Sequence, residues 1–203
     1  MFDADRIPDT ESTSRELVAW LTGDDPTFAL AAAWRLCASD QFDTTTLEAL
    51  HAATHASDPD VVPVVIGLLA GADERDEKTV GRVTALLRDR RPTVALAAAK
   101  AAYALGLDLK DQMGTLAWLL DKYKQEPFEV LTIIAAQGPS ASAIDGTLCH
   151  MLPRSFKSLN DDLTLALVNC LRSISDNPKQ SIESCLTAGP IREEAIQWLQ
   201  RSG

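Results

Sequence analysis

The stretch PTFALAAAWRLCA, residues 26–38, recurs 66 residues later as PTVALAAAKAAYA, residues 92–104, and this internal repeat is the strongest indication of the fold. Eight of the thirteen positions are identical, including the opening Pro-Thr and most of the alanines. Alanine has the highest helix propensity and proline is favoured in the first turn of a helix, so both copies predict a helix. The ninth position differs, with Trp34 in the first copy and Lys100 in the second.

The 66-residue offset is two periods of a 33-residue repeat, since Pro59 stands midway and opens the apolar line PDVVPVVIGLLAG. Three later copies align on the apolar residue near their start, so the chain holds six copies spaced 28 to 35 residues apart. An amphipathic stretch precedes each copy, which makes the repeating unit a pair of helices. The predicted first helices cover residues 13–21, 45–56, 77–88, 110–123, 141–152 and 178–186.

Boundary signals support these helix pairs. Two first helices open with the Thr-x-x-Glu spacing of a capping box, in which the two side chains bind each other's free backbone amides; they start at Thr13 and Thr45. Gly106 and Gly138 stand where second helices should end, because glycine readily adopts the left-handed conformation of a helix C-terminus.

The line Asp58-Pro59-Asp60-Val61, followed in other copies by small pairs such as Ala31-Ala32 and Ala97-Ala98, resembles HEAT and HEAT-like repeats. The resemblance runs from about residue 13 to the end. It departs at one position, where the arginine common in the family occurs only in the last copy, as Arg192. The resemblance implies an all-α fold: a right-handed α-solenoid of about six stacked antiparallel helix pairs that share a continuous core.

This organisation predicts two regions, a flexible acidic N-terminal tail over residues 1–12 and a single HEAT-like domain over residues 13–203. The N-terminus lacks the basic and apolar segments of a secretory signal. The longest apolar run, residues 61–72, is too short to span a bilayer. The four cysteines show no close pairing and are predicted to be reduced. We therefore expect a cytoplasmic protein.

The formal net charge is −10, and residues 1–60 carry −9 of it, with twelve acidic and three basic residues. Because Lys and Arg contacts to phosphate supply most nucleic-acid affinity, this charge argues against nucleic acid as a ligand. No phosphate-binding loop, nucleophile elbow or metal-protease motif occurs. His51 and His55 lie four residues apart on one predicted helix, a spacing that can bind a metal ion, but no third ligand is nearby. Cys149 and His150 are adjacent, so on a helix their side chains point in different directions and do not form a catalytic pair. We expect no cofactor, no metal and no enzymatic activity.

Candidate binding residues lie on the second helices, at the positions that face away from the core. This ridge carries Leu30, Trp34, Pro63, Leu96 and Lys100, and it is more apolar than a solvated face requires. The alternative is that neighbouring ridges touch and bury the leucines.

The turns between the helices of each pair form a second candidate surface, predicted to change from acidic to basic along the repeat. The first two turns carry Asp24, Asp25, Asp58 and Asp60. The next three carry the basic edge: Arg88, Arg90, Arg91, Lys122, Lys124, Arg154 and Lys157. Basic side chains also complement the dipole at a helix C-terminus, which would need no ligand.

These features favour a scaffold or adaptor that binds another protein or peptide through the ridge and the basic edge. HEAT-like folds also include alkylpurine DNA glycosylases and bilin lyases, so the resemblance leaves a catalytic solenoid as one alternative. The other alternative is a regulatory or inhibitory subunit whose acidic N-terminal pairs cover a basic partner. The oligomeric state stays open.

Overall fold

The computed structural model describes residues 14–37, 43–56, 58–72, 76–123, 127–158 and 160–186, together with residue 197. Throughout this part of the chain the regular structure is helical, which confirms the all-α prediction. The first six α-helices are α1 (Ser14–Leu21), α2 (Pro26–Leu36), α3 (Thr44–Ala53), α4 (Val61–Gly71), α5 (Glu77–Leu86) and α6 (Pro92–Ala104). The next five are α7 (Met113–Lys122), α8 (Phe128–Ala136), α9 (Asp145–Lys157), α10 (Asp161–Ile174) and α11 (Pro178–Cys185). Two 3₁₀ helices cover Lys110–Gln112 and Gly138–Ile144.

The chain divides into two compact units, residues 1–107 and 108–203. In the first unit consecutive helices pack as pairs, α1 with α2, α3 with α4 and α5 with α6. The second helices form a row in which α4 contacts both α2 and α6, while α1 contacts α3. The core between them is made of small and branched side chains, for example Ala32, Leu50 and Val65, none of which is measurably exposed.

The second unit repeats this pairing with α7 against α8 and α9 against α10. Here α10 contacts α8, and α11 packs on both α9 and α10. Its fully buried side chains include Leu116, Leu120, Ile134 and Leu148, so each unit has its own apolar core.

Aspartates, rather than the predicted threonines, begin several of the helices. Asp43 accepts a hydrogen bond of 2.7 Å from the backbone N–H of Thr46, so α3 starts one residue before the predicted capping box. Asp76 caps α5 in the same way through the N–H of Thr79. The capping box predicted at Thr45 is therefore wrong, because the carboxylate of Asp43 caps the start of α3 instead. Thr13 lies outside the described residues.

Glycine ends two of the second helices, as predicted. Gly106 and Gly138 have φ angles of 66° and 58°, in the left-handed region. After α6, the N–H of Gly106 bonds to the carbonyl of Tyr103 and the N–H of Leu107 to that of Ala102, both at 2.9 Å. This pair of bonds is a Schellman motif, which satisfies carbonyls at the end of the helix.

Helix α9 continues past Pro153 to Lys157, whereas the sequence predicts its end at Leu152. Proline removes one backbone hydrogen bond, but the turn that follows is held by a buried side chain. Ser155 donates from Oγ to the carbonyl of Leu152 at 2.8 Å and accepts from the Thr164 hydroxyl of α10, also at 2.8 Å. This tertiary bond keeps the chain helical beyond the proline.

The prediction of four reduced cysteines is wrong for two of them. Cys149 in α9 and Cys185 at the end of α11 form a disulfide, with their Cα atoms 4.6 Å apart. Their separation of 36 residues hides the pairing in the sequence, and it arises because α11 packs beside α9. Cys37 and Cys170 are free thiols, exposed and buried respectively.

Candidate partner-binding surface

The outward side of the row α2, α4 and α6, here called the second-helix face, holds the predicted ridge residues. Trp34 on α2 is 61% exposed, the largest exposure among the large hydrophobic side chains of the described chain. Leu30, one turn earlier, is half-buried because it packs partly against the core of the first unit. The structure therefore leaves the indole in solvent while the leucine beside it is partly covered.

The middle of the second-helix face is formed by α4, which presents backbone instead of large side chains. Gly67 and Gly71 are both exposed, and a Cβ atom added to either would meet no heavy atom within 4 Å. Pro63, one turn before Gly67, is half-buried. An apolar side chain of a partner could thus approach the backbone of α4, the helix that packs against α2, closely.

On the far side of α4, helix α6 presents Leu96, Lys100 and Tyr103. Leu96 is half-buried, Lys100 is exposed and the Tyr103 ring is 45% exposed. Tyr103 is not among the predicted ridge residues, because the ridge comprises the first, fourth, eighth and twelfth residues after the opening proline, and Tyr103 is the eleventh after Pro92. A helix has 3.6 residues per turn, so a residue three places after Lys100 shares its face.

The corresponding face of the second unit is mostly polar. The outward positions of α8 and α10 include Thr132, Asp162, Asn169, Arg172 and Ser173, all exposed. Two large apolar side chains, Phe128 and Leu165, each 40% exposed, interrupt this set. An apolar second-helix face is therefore a property of the first unit and not of every helix pair.

Most residues of the basic edge are exposed and lie at or near the ends of first helices. Lys122, Arg154 and Lys157 occupy the last turns of α7 and α9, where a positive charge also complements the helix dipole. Arg88 and Arg90 are exposed just after α5. Lys124 lies outside the described residues.

Arg91, the remaining residue of the basic edge, makes contacts within the protein. Its Nη2 and Nε atoms lie 2.8 Å and 3.0 Å from the two carboxylate oxygens of Asp89. Its Nη1 donates to the carbonyl of Ala56, in the preceding interhelix turn, at 3.1 Å. Hydrogen bonding by Arg91 lowers the pKa of Asp89, and the same pair raises the pKa of Arg91. Arg91 thus joins two successive turns.

A second arginine, Arg82 of α5, supports the same junction and was not predicted. Its Nε donates to the Thr54 hydroxyl at 2.6 Å and its Nη2 to the Thr54 carbonyl at 2.8 Å. Close by, His51 Nε2 lies 3.3 Å from the Thr79 hydroxyl in a buried contact. Burial, and then the charge of Lys78, lowers the pKa of His51. His51 therefore acts as a neutral core residue between α3 and α5.

The two histidines considered as metal ligands occupy different environments. His51 is buried on α3, whereas His55 is exposed beyond the end of that helix. Among the described residues, no three His, Cys, Asp or Glu side chains are arranged to hold a metal ion. In the same part of the chain, every helix falls short of the length and hydrophobicity required to cross a membrane.

In comparisons with known proteins, no protein-family model, no curated protein and no solved structure matches the chain. The function of this surface is therefore inferred from its own geometry.

Proposed function

We propose that this protein is a HEAT-like α-solenoid that acts as a scaffold, binding a partner protein through the second-helix face of its first unit. The 33-residue spacing and the row of packed second helices within residues 1–107 support the solenoid interpretation. The observation that carries the binding proposal is the exposed Trp34 on α2, together with the open backbone of Gly67, which lies one 33-residue period later on the neighbouring helix α4. Tryptophan is among the residue types enriched at energetically dominant positions of protein interfaces.

The exposed indole provides enough apolar area to anchor a complex. About 60% of a side chain of roughly 250 Å² is some 150 Å², and burying it at about 25 cal/mol per Å² contributes about 4 kcal/mol. The basic edge serves orientation, because exposed charges change association rates more than affinity. Within the first unit, the exposed members that can do so are Arg88 and Arg90.

Two substitutions test the face without disturbing the core. Trp34→Ala removes the anchor, and its side chain is mostly outside the packed interior. Gly67→Leu fills the space above α4, where no heavy atom lies within 4 Å of the added Cβ. Leucine also has a higher helix propensity than glycine, so this variant should keep α4 folded. A loss of binding by a Gly67→Leu variant whose circular dichroism is unchanged therefore cannot be attributed to unfolding.

The experiment is affinity capture from the native host with the parent and the two variants, followed by calorimetry with each captured partner after purification. We expect both variants to weaken binding at least about tenfold, a loss of about 1.4 kcal/mol. Leu165→Ala, which truncates another exposed apolar side chain on α10, is the matched control and should bind within twofold. Equal affinities of the parent, Trp34→Ala and Gly67→Leu, with unchanged circular dichroism, would refute the proposal.

A further inference from the structure

A cleft of about 590 Å³ opens in the first unit between the α1–α2 turn and the α3–α4 turn. Its apolar floor consists of buried side chains from four helices, namely Leu21, Ala29, Ala53 and Val61. Asp24, from the first turn, and Asp58, from the second, also line the cleft, together with His55. The cleft therefore combines apolar lining residues with one acidic residue from each of the two turns.

Neither carboxylate has a cation within ion-pair distance in the described part of the chain. Asp24 is exposed. Asp58 is half-buried, and one of its oxygens accepts the N–H groups of Asp60 and Val61, at 2.8 Å and 3.3 Å. Both charges are thus available to a ligand that enters the cleft, and Asp58 is held in place by its role at the start of α4.

The cleft lies at the first junction, between the first and second interhelix turns, and the second junction, between the second and third turns, shows which chemical group such a space can hold. There the Arg91 guanidinium binds Asp89 and also donates to the carbonyl of Ala56 in the preceding turn. Counting back one 33-residue period from Arg91 leads to Asp58. The first junction therefore has a carboxylate at the position where the next junction has a guanidinium.

The second arginine of that junction, Arg82, likewise has no arginine counterpart one period earlier. Arg82 supports the junction of the second and third pairs through the carbonyl and hydroxyl of Thr54. One period earlier stands Ala49, which is buried and cannot donate. The first junction thus lacks both guanidinium groups that fill its counterpart, and it is the junction at which the cleft occurs.

We propose that this cleft binds an arginine side chain from a basic segment of a partner protein. A guanidinium presents five N–H donors in a planar fork, which suits a cleft lined by two carboxylate residues. The methylene groups of the arginine would lie on the apolar floor. Because no residue of the second-helix face lines the cleft, this proposal stands or falls independently of the proposed function.

Asp24 is expected to contribute more than Asp58. The charge of Asp58 also acts on Arg91, whose pKa it helps to raise. An incoming guanidinium would share Asp58 with that resident arginine, whereas Asp24 has no such competitor among the described residues.

The experiment is a titration of the ¹⁵N-labelled full chain, followed by backbone amide chemical shifts. The probe is N-acetyl-arginine amide, and the matched control probe is N-acetyl-citrulline amide, which has the same shape without the charge. We expect saturable shifts confined to the amides of residues 22–24 and 52–58 with the arginine probe, and none with the citrulline probe. Saturable binding of both probes with equal affinity, or of neither, would overturn the proposal.

Charge-neutral variants assign the binding to the two carboxylates. Asp24→Asn and Asp58→Asn should each weaken binding by between about twofold and fivefold, the range for exposed ion pairs, with the larger loss for Asp24→Asn. Asp58→Asn retains an oxygen that can cap α4. Asp25→Asn is the matched control: it changes the net charge equally, but Asp25 caps α2 and does not line the cleft. An Asp25→Asn effect as large as that of Asp24→Asn would show only a general response to charge and would refute the site. Trp34→Ala should leave probe binding unchanged.

Discussion

Removal of the disulfide between Cys149 and Cys185 should destabilise the second unit by several kcal/mol. In the chain-entropy model, a bond that closes a loop of 36 residues stabilises the folded state by about 4 kcal/mol, because it restricts the unfolded chain. The helix it ties down buries few side chains against α9 and α10. Helix α11 has eight residues and buries only Ile182 and Cys185, with Leu186 just beyond its end. An isolated helix of that length is unstable in water.

The assay is urea unfolding of the parent, Cys149→Ser and Cys37→Ser, each with and without dithiothreitol. Under non-reducing conditions Cys149→Ser should unfold at a lower urea concentration, and dithiothreitol should lower the parent to the same midpoint. Cys37→Ser changes an exposed free thiol and should shift the unfolding free energy by less than about 0.5 kcal/mol. Burial raises the pKa of Cys170 to about 12, so this thiol stays protonated and should not take part in thiol exchange at neutral pH.

Two results would refute this reasoning. One is an unchanged unfolding midpoint of the parent when the reductant is added. The other is alkylation of Cys149 in the folded parent under non-reducing conditions, detected by mass spectrometry, since a disulfide sulfur cannot react.

Three further predictions concern the core, the pH dependence and the glycines. Leu120→Ala should lower the unfolding free energy by about 2 to 5 kcal/mol in a urea titration, because Leu120 is fully buried. The pKa of His51 is lowered in the folded state, so the unfolded chain takes up the proton more readily. His51 therefore leaves the stability unchanged above pH 6.5, the ordinary value, and lowers it as the pH falls from there to the folded pKa. His51→Gln should flatten the fall in melting temperature as the pH drops below 6.5; an undiminished slope would contradict the assignment. Gly138→Ala should destabilise by about 1 to 2 kcal/mol because φ is 58°, whereas Gly67→Ala should stabilise by about 0.5 to 1 kcal/mol in the same assay; equal effects would be inconsistent with both backbone assignments.

Most helix boundaries could be predicted because they depend on local chemistry. The first-turn prolines at residues 26, 92 and 178 and the terminal glycines at 106 and 138 act within one turn of the helix they delimit. The misplaced end of α9 had a different origin, since it depends on the bond between Ser155 and Thr164 of another helix. The rule that a helix ends before a proline considers only the residues next to Pro153 and cannot predict that contact.

The candidate sites divide in the same way. Trp34 could be predicted as exposed because helical periodicity places it opposite the buried alanines of α2. Tyr103 could also have been predicted from the helical period, because it lies three residues after Lys100. The significance of the open backbone at Gly67 could not, because it depends on α4 lying between α2 and α6. Arg91 looked like a residue of an exposed basic edge, and only the fold shows that it binds Asp89 and the preceding turn.

The sequence by itself determined an all-helical chain built from repeated helix pairs, because propensity, capping and amphipathic period act over a few residues. Tertiary structure alone decided three things: the disulfide across 36 residues, the Arg82 and Arg91 contacts across the second junction, and the unfilled cleft at the first. Each depends on which helices lie side by side. Which helices become neighbours depends on the free energy of burying apolar surface over the whole unit, and no single residue determines that free energy.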